Sequence, residues 1–250
     1  EAVFAERIAT VEEVRFDPAS GGVRARRVRR LGRLVLEESQ SSKATPEQVR
    51  DALLQGIAEL GIARLPWTRE QEQLRRRVAF LRSLDPSTWP DLSDEGLKRS
   101  LAEWLGPFIL GKRSIAAIGA DDLGNALGAL LPWDRKRRLD EEAPSHFEAP
   151  TGSRLPIDYA AEGGPSVAVR VQELFGLAAH PRIGAGKAGL TLELLSPAHR
   201  PIQITRALPG FWAGSWKDVR SDMRGRYPKH PWPDDPAKAL PTRRAKPRGS

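Results

Sequence analysis

The middle of the chain shows the three-to-four-residue apolar spacing that is typical of amphipathic helices. Residues 45–48 form a capping-box sequence with proline at the first helical position, and Gly61 is a natural end for the helix that begins there. Four apolar residues share one face of this predicted helix: Val49, Leu53, Ile57 and Leu60. The pattern therefore predicts a helix between Thr45 and Gly61 with a buried apolar face.

Further helices are predicted along residues 43–142. Thr68 with Gln71 opens one, Ser93 opens another, and shorter ones follow near residues 121–131 and 132–142. Their inward positions form apolar stripes: Leu74, Val78 and Leu81, then Leu97, Leu101, Trp104 and Leu105. The arginines between these stripes, Arg75, Arg76 and Arg77, are interpreted as a solvated face.

The first forty residues show a strand pattern. Residues 10–16 alternate, residues 17–22 have turn chemistry, and residues 23–36 return, which predicts a twisted β-hairpin. Val23 and Ala25 fall on one face and Val28 on the other, so we expect a bulge near residues 26–27. The return strand carries six arginines without an acid among them: Arg24, Arg26, Arg27, Arg29, Arg30 and Arg33. They suit phosphate contact, or they are neutralised across the ladder by Glu12, Glu13, Glu37 and Glu38.

From residue 146 the pattern returns to strands. It predicts a hairpin over residues 146–160, a short helix or strand at 169–175, and a final strand pair at 190–195 and 202–206. The sequence therefore predicts an α+β fold in three parts. These are a β-ribbon at 1–42, a helical region at 43–142, and a small mixed domain at 143–250 with a basic, proline-rich tail from residue 228.

The most unusual stretch is residues 215–233. Ser215 and Asp218 predict a capped helix that Gly225 closes, with an apolar face of Trp216, Val219 and Met223. Three cations share one flank of this helix, and aromatic and basic residues then alternate with prolines; the residues concerned are Lys217, Arg220, Arg224, Arg226, Tyr227, Lys229, His230 and Trp232. Two interpretations stay open. The segment binds phosphates and stacks on unpaired bases, or its aromatic residues anchor the tail to the domain.

Charge favours a nucleic-acid partner. The formal net charge is +8 and the pI is about 10.2. Residues 217–250 hold ten Lys or Arg and four Asp, so six of the eight excess charges lie there. The chain has no cysteine, which excludes disulfides and thiolate chemistry and fits a reducing cytoplasm. It shows no apolar run that could insert into a membrane, and its four scattered histidines show no metal-ligand spacing.

Three runs imitate nucleotide-binding motifs without meeting their requirements. Residues 106–113 (GPFILGKR) approach a P-loop, but Arg113 stands where a hydroxyl should reach magnesium, Pro107 removes an amide donor, and the preceding segment is predicted to be helical. Residues 140–143 (DEEA) follow a basic helix, whereas an acidic box follows an apolar strand. Residues 184–187 (GAGK) are a glycine-rich turn. We therefore predict no catalytic residue, no metal and no nucleotide cofactor for this chain.

The run at residues 192–236, LELLSPAHRPIQITRALPGFWAGSWKDVRSDMRGRYPKHPWPDDP, resembles the C-terminal signature of the HrpB family of bacterial DEAH/RHA-type ATP-dependent helicases. Residues 65–68, 89–97, 129–133 and 171–177 are also similar to that family. The resemblance implies that the ribbon is part of an OB-like barrel and that the parent is an ATP-dependent RNA helicase. Its ATP and magnesium sites would lie in RecA-like domains upstream of Glu1, in the same cytoplasmic polypeptide.

Three functions follow as hypotheses. The first is an accessory module that binds single-stranded RNA or DNA and packs on the motor, with phosphate contacts at Lys217, Arg220, Arg224, Arg226 and Lys229. In this hypothesis Tyr227 and Trp232 are the stacking residues, and Arg27, Arg29 and Arg30 are secondary contacts. The second is a protein-interaction module with a dry contact through Trp212, Trp216 and Trp232. The third is an unrecognised phosphodiesterase or ATPase.

Overall fold

The computed structural model describes residues 8–41 and 43–244. Helices and small sheets are mixed along the chain, which confirms the α+β class. Two compact units are present: the chain up to Arg75 with Pro90–Trp133, and Arg76–Trp89 with the chain from Asp134 onward. The predicted three-part division and OB-like barrel stay predictions, and the first and last of the three parts extend into residues outside those described.

The first unit begins with a three-stranded antiparallel meander rather than a hairpin. Its strands are β1 (Ile8–Asp17), β2 (Gly22–Leu31) and β3 (Leu34–Gln40), in spatial order β1-β2-β3. The predicted single return strand is wrong because Gly32, at a φ of 60°, starts a two-residue turn that divides it. The expected bulge is also misplaced. The β1–β2 register is regular, and the shift lies between Arg29 and Arg30 in the β2–β3 pairing.

Helices complete this unit. They are α1 (Pro46–Leu60), the beginning of α2 (Arg69–Leu84), α3 (Asp94–Arg99), α4 (Leu101–Trp104) and α5 (Ala120–Leu130). The Thr45 capping box is present, Gly61 caps the other end of α1, and Ser93 caps α3, so these predicted boundaries are confirmed. Leu60 is exposed, which corrects one position of the α1 stripe. A Cβ at Gly56 would lie 2.1 Å from the Phe16 ring, so the glycine lets β1 pack on α1.

The second unit is built around a three-stranded sheet and an aromatic core. Its helices are the rest of α2, α6 (Trp133–Glu142, the unit taking it from Asp134), α7 (Leu208–Ala213) and α8 (Trp216–Arg226). Its strands are β4 (His146–Glu148), β5 (Arg154–Pro156), β6 (Ser166–Arg170), β7 (Arg182–Ile183), β8 (Ala188–Gly189), β9 (Thr191–Leu195) and β10 (Pro201–Thr205). The predicted β4–β5 and β9–β10 pairs are confirmed. The parallel β6–β9 pair, which makes β9 the central strand, was not predicted.

Candidate nucleic-acid interface

Helix α8 buries the apolar face that the sequence predicts. Trp216 and Met223 are 2% and 6% exposed, and Val219 packs partly buried against the same core. The predicted cap is wrong: Ser215 has helical backbone angles and no capping hydrogen bond, because α7 ends only two residues earlier and the chain enters α8 through Gly214. Gly225 does not close the helix either, since the helix ends at Arg226. The face of α8 opposite the core is free to carry charge.

The proline-rich segment after α8 is held firmly against the domain. We call residues 227–236 the C-terminal strap. The indole nitrogen of Trp216 donates to the Pro233 carbonyl at 3.0 Å, and that of Trp232 donates to the Tyr227 carbonyl at 2.9 Å. The amide of Gly176 donates to the Pro236 carbonyl at 2.9 Å. These bonds correspond to the anchoring interpretation of the tail. The residues at 245–250, which carry part of the basic charge, lie outside those described.

The aromatic side chains of the strap are used inside the protein. The Trp232 ring is 8% exposed and lies 6.0 Å from the Trp216 ring, centroid to centroid. Tyr227 is half-buried, and its hydroxyl oxygen lies 3.4 Å from Oγ of Ser196. Trp232 therefore presents no open face on which a base could stack, and Tyr227 presents only part of one.

The predicted phosphate contacts on α8 and the strap separate into two groups. Arg220 donates through Nε to the Trp232 carbonyl at 2.9 Å and pairs with Asp234, while Arg226 pairs with Asp222 at 2.9 Å. In the part of the chain that the structure describes, the three other cations have no carboxylate partner and are exposed; we call Lys217, Arg224 and Lys229 the C-terminal cations. Only this second group is available without breaking an existing bond.

Two titratable groups near the strap add no positive charge to this surface. Burial, and secondarily the nearby Arg170, lowers the pKa of His230, so its ring is neutral at pH 7. Burial alone would raise the pKa of Glu173, but hydrogen bonds from Ser153 and Thr151 and the Arg170 guanidinium hold it below its ordinary value. Arg170 is therefore balanced by an ionised carboxylate.

Three ribbon arginines are predicted phosphate contacts, and each of them is paired with an acid on a neighbouring strand. Arg27 lies 3.8 Å from Glu12, Arg29 lies 3.0 Å from Glu37, and Arg30 pairs with Glu13. In this structure, therefore, the flanking glutamates neutralise these arginines, as the second of the two interpretations expects. The Arg27–Glu12 and Arg29–Glu37 pairs are exposed, and such pairs contribute about 0–1 kcal/mol each, so these two arginines can exchange a carboxylate for a phosphate at little cost. The Glu13 side chain is only 15% exposed, so the Arg30–Glu13 pair is partly buried and costs more to break.

The three runs that imitate nucleotide-binding motifs lie on the kinds of element that the sequence predicts for them. The P-loop-like run follows helix α4 and passes through a 3-10 turn at Gly106–Phe108, and its Lys112 pairs with Asp122 at 3.0 Å. Residues 140–143 end helix α6, and residues 184–187 form the turn between β7 and β8. Among the described residues no three His, Cys, Asp or Glu side chains are grouped as metal ligands would be. Sequence reasoning considered Arg113 only as a fault in the P-loop pattern, although it is an exposed cation.

Comparison with known proteins gives consistent results. Residues 104–236 match the family described as ATP-dependent helicase C-terminal, and residues 7–40 match the connector region of ATP-dependent RNA helicase HrpB. The chain is 44% identical over 236 residues to ATP-dependent RNA helicase HrpB of Escherichia coli strain K12, covering 94% of this chain and 29% of that protein.

Two solved structures are also similar. The crystal structure of the E. coli DExH-box NTPase HrpB matches with a TM-score of 0.79 and 42% identity, over 96% of this chain and 30% of that one. That of the Escherichia coli DEAH/RHA helicase HrpB matches with a TM-score of 0.68 and 40% identity, over 90% and 29%. The chain thus spans less than a third of the length of these relatives. None of the helices in residues 8–41 and 43–244 is both long and apolar enough to cross a bilayer.

Proposed function

The chain belongs to the HrpB family of ATP-dependent helicases, and on that premise we propose that it is an accessory region that binds single-stranded nucleic acid beside the motor. In this proposal the parent is an ATP-dependent RNA helicase whose RecA-like domains bind ATP and magnesium, and this region packs on them in the same polypeptide. Its own contribution is a positively charged surface that holds the strand.

The observation that carries the proposal is the state of the C-terminal cations. The two other cations of α8 are each paired with an acid, Arg220 with Asp234 and Arg226 with Asp222. Within the described chain, Lys217, Arg224 and Lys229 have no such acid and are exposed to solvent. Uncompensated cations on a rigid surface are what a phosphodiester backbone binds, because each contact releases condensed counterions.

The ribbon supplies secondary contacts in this proposal. Arg27 and Arg29 can transfer from their glutamates to phosphates, since their exposed pairs are weak. Arg30 remains in the set of predicted contacts, but its partly buried pair with Glu13 gives it a structural role at rest. Arg220 and Arg226 remain in the set of predicted contacts, but their bonds to the strap and to Asp222 give them a structural role at rest.

In the protein-interaction alternative, the structure leaves one of the three predicted contact tryptophans accessible. Trp216 and Trp232 are 2% and 8% exposed, so of the three tryptophans in that hypothesis Trp212 is the one that is partly accessible. It borders a groove of about 300 Å³ with Pro209 and Asp234. A partner contact there would depend little on ionic strength.

The test is a salt titration of binding to a fluorescein-labelled oligouridylate. In the variant Lys217→Ala/Arg224→Ala/Lys229→Ala we expect weaker binding and a slope of log K against log [salt] reduced by about 2, at about 0.7 for each of three contacts on a single strand. Arg220 is left intact because its removal would also release the strap.

The matched control is Lys136→Ala/Arg154→Ala/Lys187→Ala, which removes the same charges from exposed positions of the same unit. It is expected to keep the slope of the wild-type chain. A triple C-terminal variant that binds with the wild-type slope would contradict the proposed contacts. Binding of a protein partner that is insensitive to salt and lost in Trp212→Ala would favour the alternative.

A further inference from the structure

A second cationic surface lies on the ribbon, beside the first residues of β2, which β3 does not cover. Two segments pair side by side with this uncovered edge of β2. The amide of Ser41, at the end of β3, donates to the Ala25 carbonyl at 3.0 Å, and the amide of Val23 donates to the Arg113 carbonyl at 2.8 Å. Ile115 then donates to the Gly21 carbonyl at 2.9 Å. The turn that ends the false P-loop is therefore fixed against the ribbon by backbone bonds.

The space between these two segments is a cleft of about 400 Å³. Three guanidinium-bearing residues line it, Arg24, Arg26 and Arg113, together with Glu38 as the one acid. The polar residues Ser39, Gln40 and Ser41 and the apolar residues Val23 and Ala25 complete the lining. Val23 and Ala25 are buried, and because neighbouring residues of a strand point to opposite faces, Arg24 and Arg26 extend from the other face of β2. The lining thus carries a net charge of +2 and offers hydroxyl groups as additional donors.

Arg113 is the uncompensated cation of this cleft. Arg24 pairs with Asp17 at 2.7 Å and Arg26 with Glu38 at 2.5 Å. Lys112, the neighbour of Arg113, turns away to pair with Asp122. In the described part of the chain Arg113 itself has no carboxylate partner and is exposed. An unpaired guanidinium beside two others can bind an anion without breaking an existing ion pair.

We propose that this cleft, which we call the Arg113 cleft, binds successive phosphates of a single-stranded nucleic acid, with Arg113 as the main contact and Arg24 and Arg26 as partners. The inference rests on the proposed function but assigns a surface separate from the C-terminal cations. Guanidinium groups bind phosphate oxygens through two parallel hydrogen bonds. Arg24 and Arg26 stand about 7 Å apart along the strand, which suits neighbouring phosphates of an extended backbone better than a single anion.

The first experiment measures binding of the labelled oligouridylate by the whole chain carrying Arg24→Ala/Arg113→Ala. The expected result is a salt slope lowered by about 1.4, or 0.7 for each lost contact. The matched control, Arg69→Ala/Lys98→Ala, removes two exposed charges from the same unit and is expected to leave the slope unchanged. Equal slopes for the cleft variant and the control would overturn the inference.

The second experiment tests proximity without relying on charge. The sequence contains no cysteine, so Arg113→Cys gives a single attachment point for a benzophenone photocrosslinker. Ultraviolet irradiation with the oligouridylate is expected to give a crosslinked complex at position 113, and little at position 69 in the control Arg69→Cys. A yield at 113 no greater than at 69 would overturn the inference even if the salt slope had changed.

The two proposals can fail separately. A lowered slope in the cleft variant with a wild-type slope in the C-terminal triple variant would remove the C-terminal contacts and keep the Arg113 cleft. The reverse pattern would remove the cleft alone. A wild-type chain that does not bind the oligouridylate at low salt would overturn both.

Discussion

At the scale of single residues, identical side chains in adjacent positions have different roles. Arg75, Arg76 and Arg77 were all expected on a solvated face, which is wrong for two of them. Arg77 is 8% exposed, and the Arg75 guanidinium lies 4.7 Å from the centre of the Trp67 ring. Because consecutive helical residues point about 100° apart, a run of three arginines cannot share one environment. Which arginine is buried depends on the elements that pack against each face of the helix.

Arg77 has a specific task, from which a prediction follows. Its Nε donates to the Ala143 carbonyl at 2.5 Å, and its Nη2 donates to the Leu139 carbonyl at 3.1 Å and to Asp140 at 2.6 Å. It therefore satisfies the carbonyl groups at the end of α6. Arg77→Ala is expected to lower the free energy of unfolding by about 2–4 kcal/mol, since buried acceptors lose their donor.

Chemical denaturation monitored by tryptophan fluorescence measures this effect. The exposed neighbour provides the control, because Arg76→Ala is expected to change the unfolding free energy by no more than about 0.5 kcal/mol. Arg77→Lys should restore only part of the loss, as a lysine cannot reach three acceptors in a fork. Similar values for Arg76→Ala and Arg77→Ala would show that the α6 carbonyls do not depend on this side chain.

At the scale of elements, the strap shows how a segment without regular structure becomes part of a core. Its prolines cannot donate backbone hydrogen bonds, so the segment is held by indole nitrogens and carbonyl groups instead. Five aromatic residues form one cluster around α7 and α8: Phe175, Phe211, Trp212, Trp216 and Trp232. This cluster explains why aromatic residues are concentrated in this part of the sequence. It does not explain the C-terminal cations, which lie outside the core.

The strap gives a prediction that separates packing from base stacking. Trp232→Phe retains most of the buried apolar area but removes one of the two donors to the Tyr227 carbonyl, the other being the His230 amide at 3.1 Å. The lost hydrogen bond and the smaller ring together are expected to lower the unfolding free energy by about 1–2 kcal/mol. Its salt slope with the oligouridylate should equal that of the wild-type chain. The control is Trp133→Phe, at a position 73% exposed, which should be neutral for stability within about 0.5 kcal/mol. A folded Trp232→Phe protein with clearly weaker binding would mean that the indole contacts the nucleic acid.

The ribbon shows that a sequence pattern can predict strand residues without showing where one strand ends and the next begins. Residues 23–36 look like one strand, because apolar and basic residues follow one another on both sides of Gly32. The turn at Gly32 makes β2 the central strand, with β1 on one edge and β3 on the other. Its arginines thereby gain acids on both sides, Glu12 and Glu13 from β1 and Glu37 and Glu38 from β3. The acids were identified from the sequence, but their separate strands were not.

At the scale of the whole molecule, the motif imitations have structural roles. The P-loop-like run lies on helical turns, Lys112 is paired with Asp122, and the Arg113 turn is bonded to the ribbon. A phosphate-binding loop requires the opposite arrangement, with a strand before it and a row of free amides. The chain spans less than a third of its relatives' length, and our proposal places the ATP chemistry of the parent in its RecA-like domains.

We therefore predict that the 250-residue chain does not hydrolyse ATP. A phosphate-release assay with ATP and magnesium, with and without oligouridylate, should give the rate of the buffer blank. A polypeptide that also contains the upstream motor domains serves as the positive control. Turnover by the chain alone that disappears in Lys112→Ala would contradict this reading and support the third hypothesis.

The sequence by itself determined most local features and the family. Capping residues, apolar spacing and glycine stops fix helix ends through contacts a few residues apart, so α1, α3 and the buried face of α8 were predictable. The concentration of positive charge near the C-terminus could likewise be read from composition. Only the tertiary structure decided which charges are free. Whether Arg220 meets Asp234, or Arg113 joins Arg24 at the edge of β2, depends on segments distant in the chain, and no local pattern encodes that pairing.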